Sequence, residues 1–298
     1  MSKIKIICTS SGCIEYAPER YRELGIDFLR LHIYFKGKEY REGLDLDPDM
    51  FYKDLETLED PKNNLPKTSL PSPAEIKGVI DKAIYDGYED IIVFTISTGL
   101  SGTYDAVCSV VKEYSKEVRI HVVNTKTSAF PEGIHAVRAA EMANKGYSVE
   151  EIIKETEWAI DNQEFFGVDG KLDYLIYNGR LKGAKAFMGQ MLRICPVLRF
   201  NKAGELVAVE SVRTHKKALT RMSEMVKELI GDRDPKDYIL YHVYTGPSML
   251  EVLKELEVKV GIKTNHEAVI MSPSSGSHNG PWLAGYGLYR IRREDEAL

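Results

Sequence analysis

The sequence predicts an α/β fold of two domains: an N-terminal Rossmann-like domain with helices on both faces of a mostly parallel sheet, and a C-terminal α+β domain with a mixed sheet. In the first half, apolar strands, polar loops and amphipathic helices alternate, which is typical of parallel sheets. In the second half, hairpins are mixed with helices, which favours a partly antiparallel sheet. The 298 residues are enough for two cores. We place the domains at 1–161 and 162–298.

The segment 90–104 contains the clearest strand of the first half. Its apolar run, Ile91 to Phe94, shows no polar alternation, which indicates a central strand covered on both faces. The run ends in a loop of hydroxyl groups and glycines, Ser97 to Thr103. Such loops lie at the carboxyl edge of an open α/β sheet, where ligands bind. Hydroxyls and free amides at a helix start favour an anionic or carboxylate ligand.

Three more hydroxyl-rich segments repeat this pattern. Residues 9–12 follow a strand at 4–8, residues 124–128 follow a strand at 118–123, and residues 67–72 precede a helix. A single loop of this kind is most simply a helix cap or turn. Several of them at one sheet edge favour a shared polar site, so we expect a ligand-binding protein.

Alternation and capping patterns predict the other elements. Alternating apolar residues predict one strand at 29–35 that turns at Gly37. Capping boxes at Ser72 and Ser148 predict helices that end near Gly87 and Asn162. The remaining predictions are helices at 47–58, 135–145, 184–193, 215–230 and 248–259, a hairpin of strands 196–200 and 206–212, and strands at 165–168, 238–244, 267–271 and 283–291.

Composition excludes several classes of function. The formal net charge is -5 and the basic residues are scattered, whereas a nucleic-acid-binding face needs clustered cations. The four cysteines lack a C-x-x-C pair, which favours a reducing compartment over a disulfide scaffold or a zinc site. No apolar stretch approaches the roughly 18 residues of a membrane span, and the N-terminus has no cleavage pattern. We therefore expect a cytoplasmic protein.

Two enzymatic alternatives stay open at this point. The loop 97–103 lacks the lysine and spacing of a phosphate-binding P-loop, and it is one residue short of a G-x-S-x-G nucleophile elbow. A serine-dependent hydrolase would use Ser101 with His278 as base, and a transferase would bind phosphate at the same loop. His278 lies in a segment, 277–281, that we interpret as a loop between two late strands. Arg180 and Arg213 are either surface cations or ligands of an anion.

Five ordered motifs together resemble the DegV family of fatty-acid-binding proteins over essentially the full length. They are Lys67-Thr68-Ser69-Leu70-Pro71-Ser72, Ile96-Ser97-Thr98-Gly99-Leu100-Ser101-Gly102-Thr103-Tyr104, Leu172-Asp173-Tyr174-Leu175 with Gly179-Arg180, Val212-Arg213 with Lys216-Lys217-Ala218, and His278-Asn279-Gly280-Pro281.

The resemblance implies a long-chain fatty acid in a tunnel between two domains, its carboxylate held by Thr68 and Thr98. The other ligand-binding residues it implies are Ser97, Ser101 and Gly280, and the residues near the head group or facing a partner are Arg180, Arg213 and His278. It implies no catalytic residue, no metal and no cofactor besides the fatty acid. The expected partners are the fatty acid, a separate ATP-binding kinase subunit that phosphorylates it and, transiently, a membrane; no nucleic acid is expected.

Three positions depart from the family pattern. The family usually has aspartates where this chain has Thr9 and Asn124, and a glycine where it has Trp282. Two lost carboxylates change the polarity of the sheet edge, and we expect the indole to narrow the mouth of the pocket.

Overall fold

A computed structural model of the chain describes residues 3–114, 118–184 and 194–293. The strands are β1 (Ile4–Thr9), β2 (Asp27–Leu29), β3 (His32–Phe35), β4 (Lys38–Arg41), β5 (Lys67–Ser69), β6 (Asp90–Thr95), β7 (Arg119–Asn124), β8 (Glu164–Asp169), β9 (Cys195–Phe200), β10 (Leu206–Val212), β11 (Tyr238–Tyr244), β12 (Val269–Ile270) and β13 (Leu283–Arg290). The helices are α1 (Glu19–Arg22), α2 (Pro48–Glu56), α3 (Pro61–Asn64), α4 (Pro73–Tyr85), α5 (Thr103–Val111), α6 (Phe130–Asn144), α7 (Val149–Asn162), α8 (Asp173–Tyr177), α9 (His215–Ile230), α10 (Pro247–Val260) and α11 (Pro273–Asn279).

The N-terminal sheet is parallel, in the order β2-β1-β6-β7. Every residue of β6 is buried, because helices cover both faces of the sheet. Ile91 and Val93 pack against α4 and α5, whereas Ile92 and Phe94 pack in the core that contains α6. The predicted covered parallel sheet is confirmed.

The C-terminal sheet is mixed, in the order β10-β9-β8-β13-β11-β12. Its strand pairs are antiparallel except β11 with β12, which are parallel. Helices α9 and α10 cover one face. On the other face, Tyr241 packs edge-on against Phe130 of α6, with ring centroids 4.9 Å apart, and α6 also contacts β1. Helix α6 therefore lies between the two sheets.

The predicted strand at 29–35 is wrong, because two strands of different sheets share this segment. Strand β2 ends at Leu29 in the parallel sheet, and β3 begins at His32 in a small antiparallel sheet of order β4-β3-β5. Between them, the amide of Leu31 donates to the hydroxyl of Ser10 at 3.0 Å, and Arg30 makes a double contact with Glu15. The alternation of buried side chains continues across the break, so periodicity could not reveal it.

Capping patterns predicted the positions of helices more accurately than side-chain alternation predicted the strand at 29–35. Both capping boxes form, at Ser72 with Glu75 and at Ser148 with Glu151, and α9, β11 and the β9–β10 hairpin lie where the sequence predicted them. The predicted loop at 277–281 is wrong in part, since residues 277–279 form the last turn of α11. Apart from its first residue, Ala184, the helix predicted at 184–193 lies outside the described part of the chain.

Two pairs of glycines allow direct contact between backbone segments. A Cβ atom on Gly133 of α6 would lie 2.0 Å from the carbonyl oxygen of Gly12, in the loop after β1. A Cβ atom on Gly99 would lie 2.6 Å from the carbonyl oxygen of Gly204, at the turn of the β9–β10 hairpin. The first contact seats α6 on the parallel sheet, and the second seats the hairpin on the loop after β6.

The predicted domain boundary at residue 161 lies in the last turn of α7 and stays a prediction. Among the residues that the structure describes, none of the helices has both the length and the apolar character to cross a bilayer.

Candidate ligand-binding cavity

A mainly apolar cavity of about 60 Å³ lies between the carboxyl edge of the parallel sheet and the C-terminal sheet. The loops after β6 and β7 reach it from one side, and β8, β9 and β10 reach it from the other. Its apolar lining consists of Leu31, Ile96, Leu100, Ala129, Phe165, Leu175, Leu198, Phe200, Leu206, Met271 and Leu283. Its polar lining consists of Thr68, Ser101, Ser128, Arg180, Ser274, Ser275, His278 and Asn279.

The cavity opens into a surface groove. Five residues line both the cavity and the groove, and we call them the cavity mouth: Leu31, Thr68, Leu100, Ser101 and Arg180. Thr98 lines the groove but not the cavity, and it is exposed. The mouth therefore combines hydroxyl groups with a cation, whereas the lining further inside is mostly apolar.

Thr68 and His278 form the central polar contact of the site. Thr68 is on β5, opposite Ile33 of β3, and its Oγ1 lies 2.8 Å from Nε2 of His278 in α11. Burial, and secondly the charge of Arg180, lower the pKa of His278 to about 3, so the imidazole is neutral at physiological pH. When its proton is on Nε2, His278 donates to Thr68, and the hydroxyl of Thr68 is left to donate to a ligand.

Arg180 is brought to the mouth by the end of α8. Gly179 has a φ of +69°, and the amide of Arg180 donates to the carbonyl of Leu175 at 2.9 Å, an arrangement typical of helix ends. The guanidinium donates to the carbonyl oxygen of Asn178 at 2.5 Å. No carboxylate in the described ranges forms an ion pair with it, so its charge is available to an anion.

The serines of the loop after β6 have different roles. The buried hydroxyl of Ser97 donates to the carbonyl of Gly204 at 2.7 Å and accepts from the amide of Gly99 at 3.1 Å, so it joins the loop to the hairpin. Ser101 lies at the mouth, with its Oγ 2.8 Å from Oγ1 of Thr103. Thr98 accepts from the side-chain amide of Asn124 at 3.0 Å.

Three predicted residues are outside both the cavity lining and the groove: Ser97, which is described above, Gly280 and Arg213. Gly280 ends α11 with a φ of +75°, and a Cβ atom there would lie 2.7 Å from the ring of Tyr174, so close packing accounts for the glycine. Arg213 is exposed after the end of β10. The structure thus brings Thr68, Ser101, Arg180 and His278 together around the cavity, and Thr98 lies in the adjoining groove.

Sequence reasoning missed two buried carboxyl groups, Glu42 and Glu132. Ser10 donates to Glu42 at 2.7 Å, and Ser11 donates to Glu132 at 2.8 Å. Burial raises the pKa of both carboxyls, that of Glu132 to about 8. The hydroxyls of the first loop therefore bind the protein's own carboxyl groups rather than lining the cavity.

Glu42 also holds the helix that carries His278. It accepts from the amide of Ser274 at 2.6 Å and from its hydroxyl at 2.8 Å. The stretch 40–43 resembles an exposed turn in the sequence, so no local signal indicated this role.

The three departures from the family pattern have separate environments. Thr9 donates to the buried Glu132, and Asn124 contacts Thr98 at the rim of the groove. Trp282 packs on Gly170 and beneath the ammonium of Lys171, which is 4.2 Å from its ring centroid. The indole is not among the residues that line the cavity or the groove.

The geometry gives little support to the hydrolase alternative. Ser101 has Thr103 as its hydroxyl partner, and Nε2 of His278 has Thr68. Nδ1 of His278 is buried and has no hydrogen-bond partner among the described residues, whereas a triad base needs a third group to orient it. The described residues also contain no group of three or more His, Cys, Asp or Glu side chains placed to hold a metal ion.

The fold defines the chain as an α/β protein with two packed sheets and a mainly apolar cavity between them. The family model described as "Uncharacterised protein, DegV family COG1307" matches residues 3–290, and the chain belongs to this family. It is similar to the DegV domain-containing protein lin2658 of Listeria innocua, with 31% identity over 284 residues that cover 95% of this chain and 97% of the relative.

Solved structures share the whole fold. The fatty acid binding DegV family protein SAG1342 of Streptococcus agalactiae superposes with a TM-score of 0.86 and 29% identity, covering 98% of this chain and 100% of that chain. A fatty-acid-binding DegV family protein of Thermus thermophilus gives 0.84 and 26%, with the same coverage. A stearic-acid-binding protein of Eubacterium ventriosum gives 0.83 and 25%, covering 97% and 98%.

Proposed function

We propose that this protein binds a long-chain fatty acid, with the acyl chain in the cavity and the carboxylate at the cavity mouth. One observation carries the proposal: a mainly apolar cavity opens at a mouth of two hydroxyls and a cation, Thr68, Ser101 and Arg180. The structural neighbours that are described as binding fatty acids support it.

The carboxylate would accept hydrogen bonds from Thr68 and Thr98, which share the groove. His278 keeps the hydroxyl of Thr68 directed at the ligand by donating to its oxygen. Arg180, near enough to His278 to lower the pKa of its imidazole, supplies the positive charge. Ser101 completes the donors at the mouth, and hydrogen bonds to a charged group are stronger than neutral ones.

The apolar lining would supply most of the binding free energy. Transfer of one methylene out of water is worth ~0.8 kcal/mol, so a dozen give on the order of 10 kcal/mol before the costs of binding. A membrane offers the acyl chain a comparable gain. The donors at the mouth therefore determine which end of the ligand faces out, and the shape of the cavity determines which chains fit.

This arrangement suits a carrier rather than an enzyme. A carboxylate at the mouth is accessible from the groove, which supports presentation of the bound acid to a separate ATP-binding kinase subunit. The exposed Arg213 is available to such a partner. A transient contact with a membrane would load the acyl chain.

Lipid extraction from the purified full-length protein tests the proposal. We expect mass spectrometry to find co-purifying long-chain fatty acids, and we expect delipidated protein to bind an added fatty acid but not its methyl ester, which lacks the charge. Absence of both co-purification and binding would overturn the proposal. Turnover of acyl esters that is lost in Ser101→Ala would favour the hydrolase instead.

A further inference from the structure

The inner wall of the cavity contains an aromatic ring that lies across two glycines. Phe165 and Gly167 are on the same face of β8, because side chains alternate along a strand, and Gly285 of β13 pairs with Gly167. A Cβ atom on Gly167 would lie 2.8 Å from Cζ of Phe165, and one on Gly285 would lie 3.0 Å from its Cε2. The ring occupies space that any larger residue at either position would fill.

Phe165 belongs to the inner part of the cavity. It lines the cavity but not the groove, and it is 5% exposed. Its ring centroid is 5.7 Å from that of Phe200, which also lines the cavity. We call Gly167 and Gly285 the glycine floor. The ring therefore separates the cavity from the glycine floor.

We propose that Phe165, seated on the glycine floor, sets the upper length of the acyl chain that the cavity accepts. This inference rests on the proposed function. Removal of the ring would open the recess above the two glycines to the ligand, and displacement of the ring from that recess would shorten the cavity. The ligand class it defines is a straight-chain fatty acid whose tail ends against Phe165.

Gly167 is the better of the two glycines for a test. Beyond its chain neighbours, the only atoms of the described residues within 3.4 Å of an added Cβ belong to the Phe165 ring, so we expect Gly167→Ala to act mainly on that ring. An added Cβ on Gly285 would also lie 2.6 Å from the carbonyl oxygen of Phe166, which would disturb the strand itself. Gly167 does not have a positive φ, so alanine fits its backbone conformation.

The experiment measures the affinities of a series of saturated fatty acids of increasing length, by displacement of a fluorescent fatty acid from full-length protein. We expect affinity to rise about fourfold for each methylene up to a cut-off length. Phe165→Ala should move the cut-off to longer chains, and Gly167→Ala should move it to shorter ones. If Phe165→Ala does not fold, Phe165→Leu replaces it as a smaller change at the same core position. Phe165→Leu should also move the cut-off to longer chains.

Gly78→Ala is the matched control, because no atom of the described residues outside the adjoining helix backbone lies within 4 Å of an added Cβ at this site on α4. It should leave the cut-off unchanged. An identical cut-off in wild type, Gly167→Ala and the folded Phe165 variant would overturn the inference while the proposed function stands. If wild type binds no fatty acid of any length, the proposed function fails first.

Discussion

Thr68 is the residue on which the proposed orientation of the ligand depends. A hydroxyl has one hydrogen, so Thr68 can donate to a carboxylate only when His278 donates to Thr68. A charged imidazole would also donate, but burial lowers the pKa of His278 to about 3. At physiological pH the neutral imidazole with its proton on Nε2 donates to Thr68, and the hydroxyl hydrogen of Thr68 is left for the carboxylate.

Thr68→Val removes this hydroxyl and keeps the shape of the side chain. We expect fatty-acid binding to weaken by ~1–3 kcal/mol, the cost of one lost donor in a buried site. Isothermal titration or probe displacement would measure it. Ser128→Ala is the control, since Ser128 lines the same cavity, 3.2 Å from Ser275, but not the mouth. Equal losses in the two variants would contradict a carboxylate at the mouth.

At the same scale, sequence motifs indicated the polar residues of the mouth but not its apolar residues or their neighbours. Thr68, Ser101 and Arg180 each belong to a motif, and so does His278 inside the cavity, but their role in binding stays a prediction. Nothing in a local pattern showed that the hydroxyls of the first loop are used by buried carboxyls, because Ser11 meets Glu132 only after a fold that joins residues 121 positions apart. The expected shared polar site therefore includes fewer loops than the sequence suggested.

Among the elements, the β9–β10 hairpin makes the contact that brings the C-terminal sheet to the cavity. Its turn residue, Gly204, has a φ of +77°, and a Cβ atom there would lie 2.1 Å from the hydroxyl oxygen of Ser97. The turn accepts the Ser97 hydroxyl hydrogen on its carbonyl. A side chain at this position would separate the hairpin from the loop after β6.

Gly204→Ala should therefore destabilise the protein more than an ordinary glycine substitution. The left-handed conformation alone costs ~1–2 kcal/mol for alanine, and the clash should add ~1–3 kcal/mol. Gly25→Ala is the control, because Gly25 has a φ of +74° and, in the described part of the chain, nothing beyond its chain neighbours lies within 4 Å of an added Cβ. Urea unfolding of both variants measures the difference, and similar free energies of unfolding would refute the role of the contact.

Elements with local signals were predicted well, and elements defined by distant pairing were not. The capping boxes of α4 and α7 each lie within four consecutive residues, so they can be recognised in the sequence. Strand β5 exists because Thr68 pairs with Ile33 of β3, and the break between β2 and β3 reflects a change of sheet. Neither is visible in side-chain periodicity.

For the whole molecule, the buried carboxyl of Glu132 links stability to pH. Burial raises its pKa from 4.5 to about 8 in the folded chain. Between these values the unfolded chain loses a proton that the folded chain keeps, so the free energy of unfolding falls as pH rises, by at most about 1.4 kcal/mol per pH unit. Below pH 4.5 this contribution is fully present, and above pH 8 it is lost.

Glu132→Gln removes this titration and should reduce the fall in stability between about pH 5 and 8. A smaller slope should remain, because burial also raises the pKa of Glu42. Denaturant unfolding at several pH values would measure both slopes. If the variant loses stability with pH as steeply as wild type, Glu132 is already ionised in the folded protein at neutral pH.

The mixed sheet and the parallel sheet were predictable as classes because their strands and helices alternate differently along the chain. The order of the mixed sheet, with β13 between β8 and β11, was not, since the last described strand enters the middle of the sheet. Such an insertion depends on long-range pairing alone.

The contact between Gly12 and Gly133 links the wall of the cavity to two residues that do not line it. Helix α6 touches the parallel sheet with bare backbone at this point, and it begins one residue after Ala129, which forms part of the cavity wall. A single methyl group at either glycine would shift the helix and carry the wall with it. A substitution at either glycine would therefore alter the shape of the cavity from a position outside its lining.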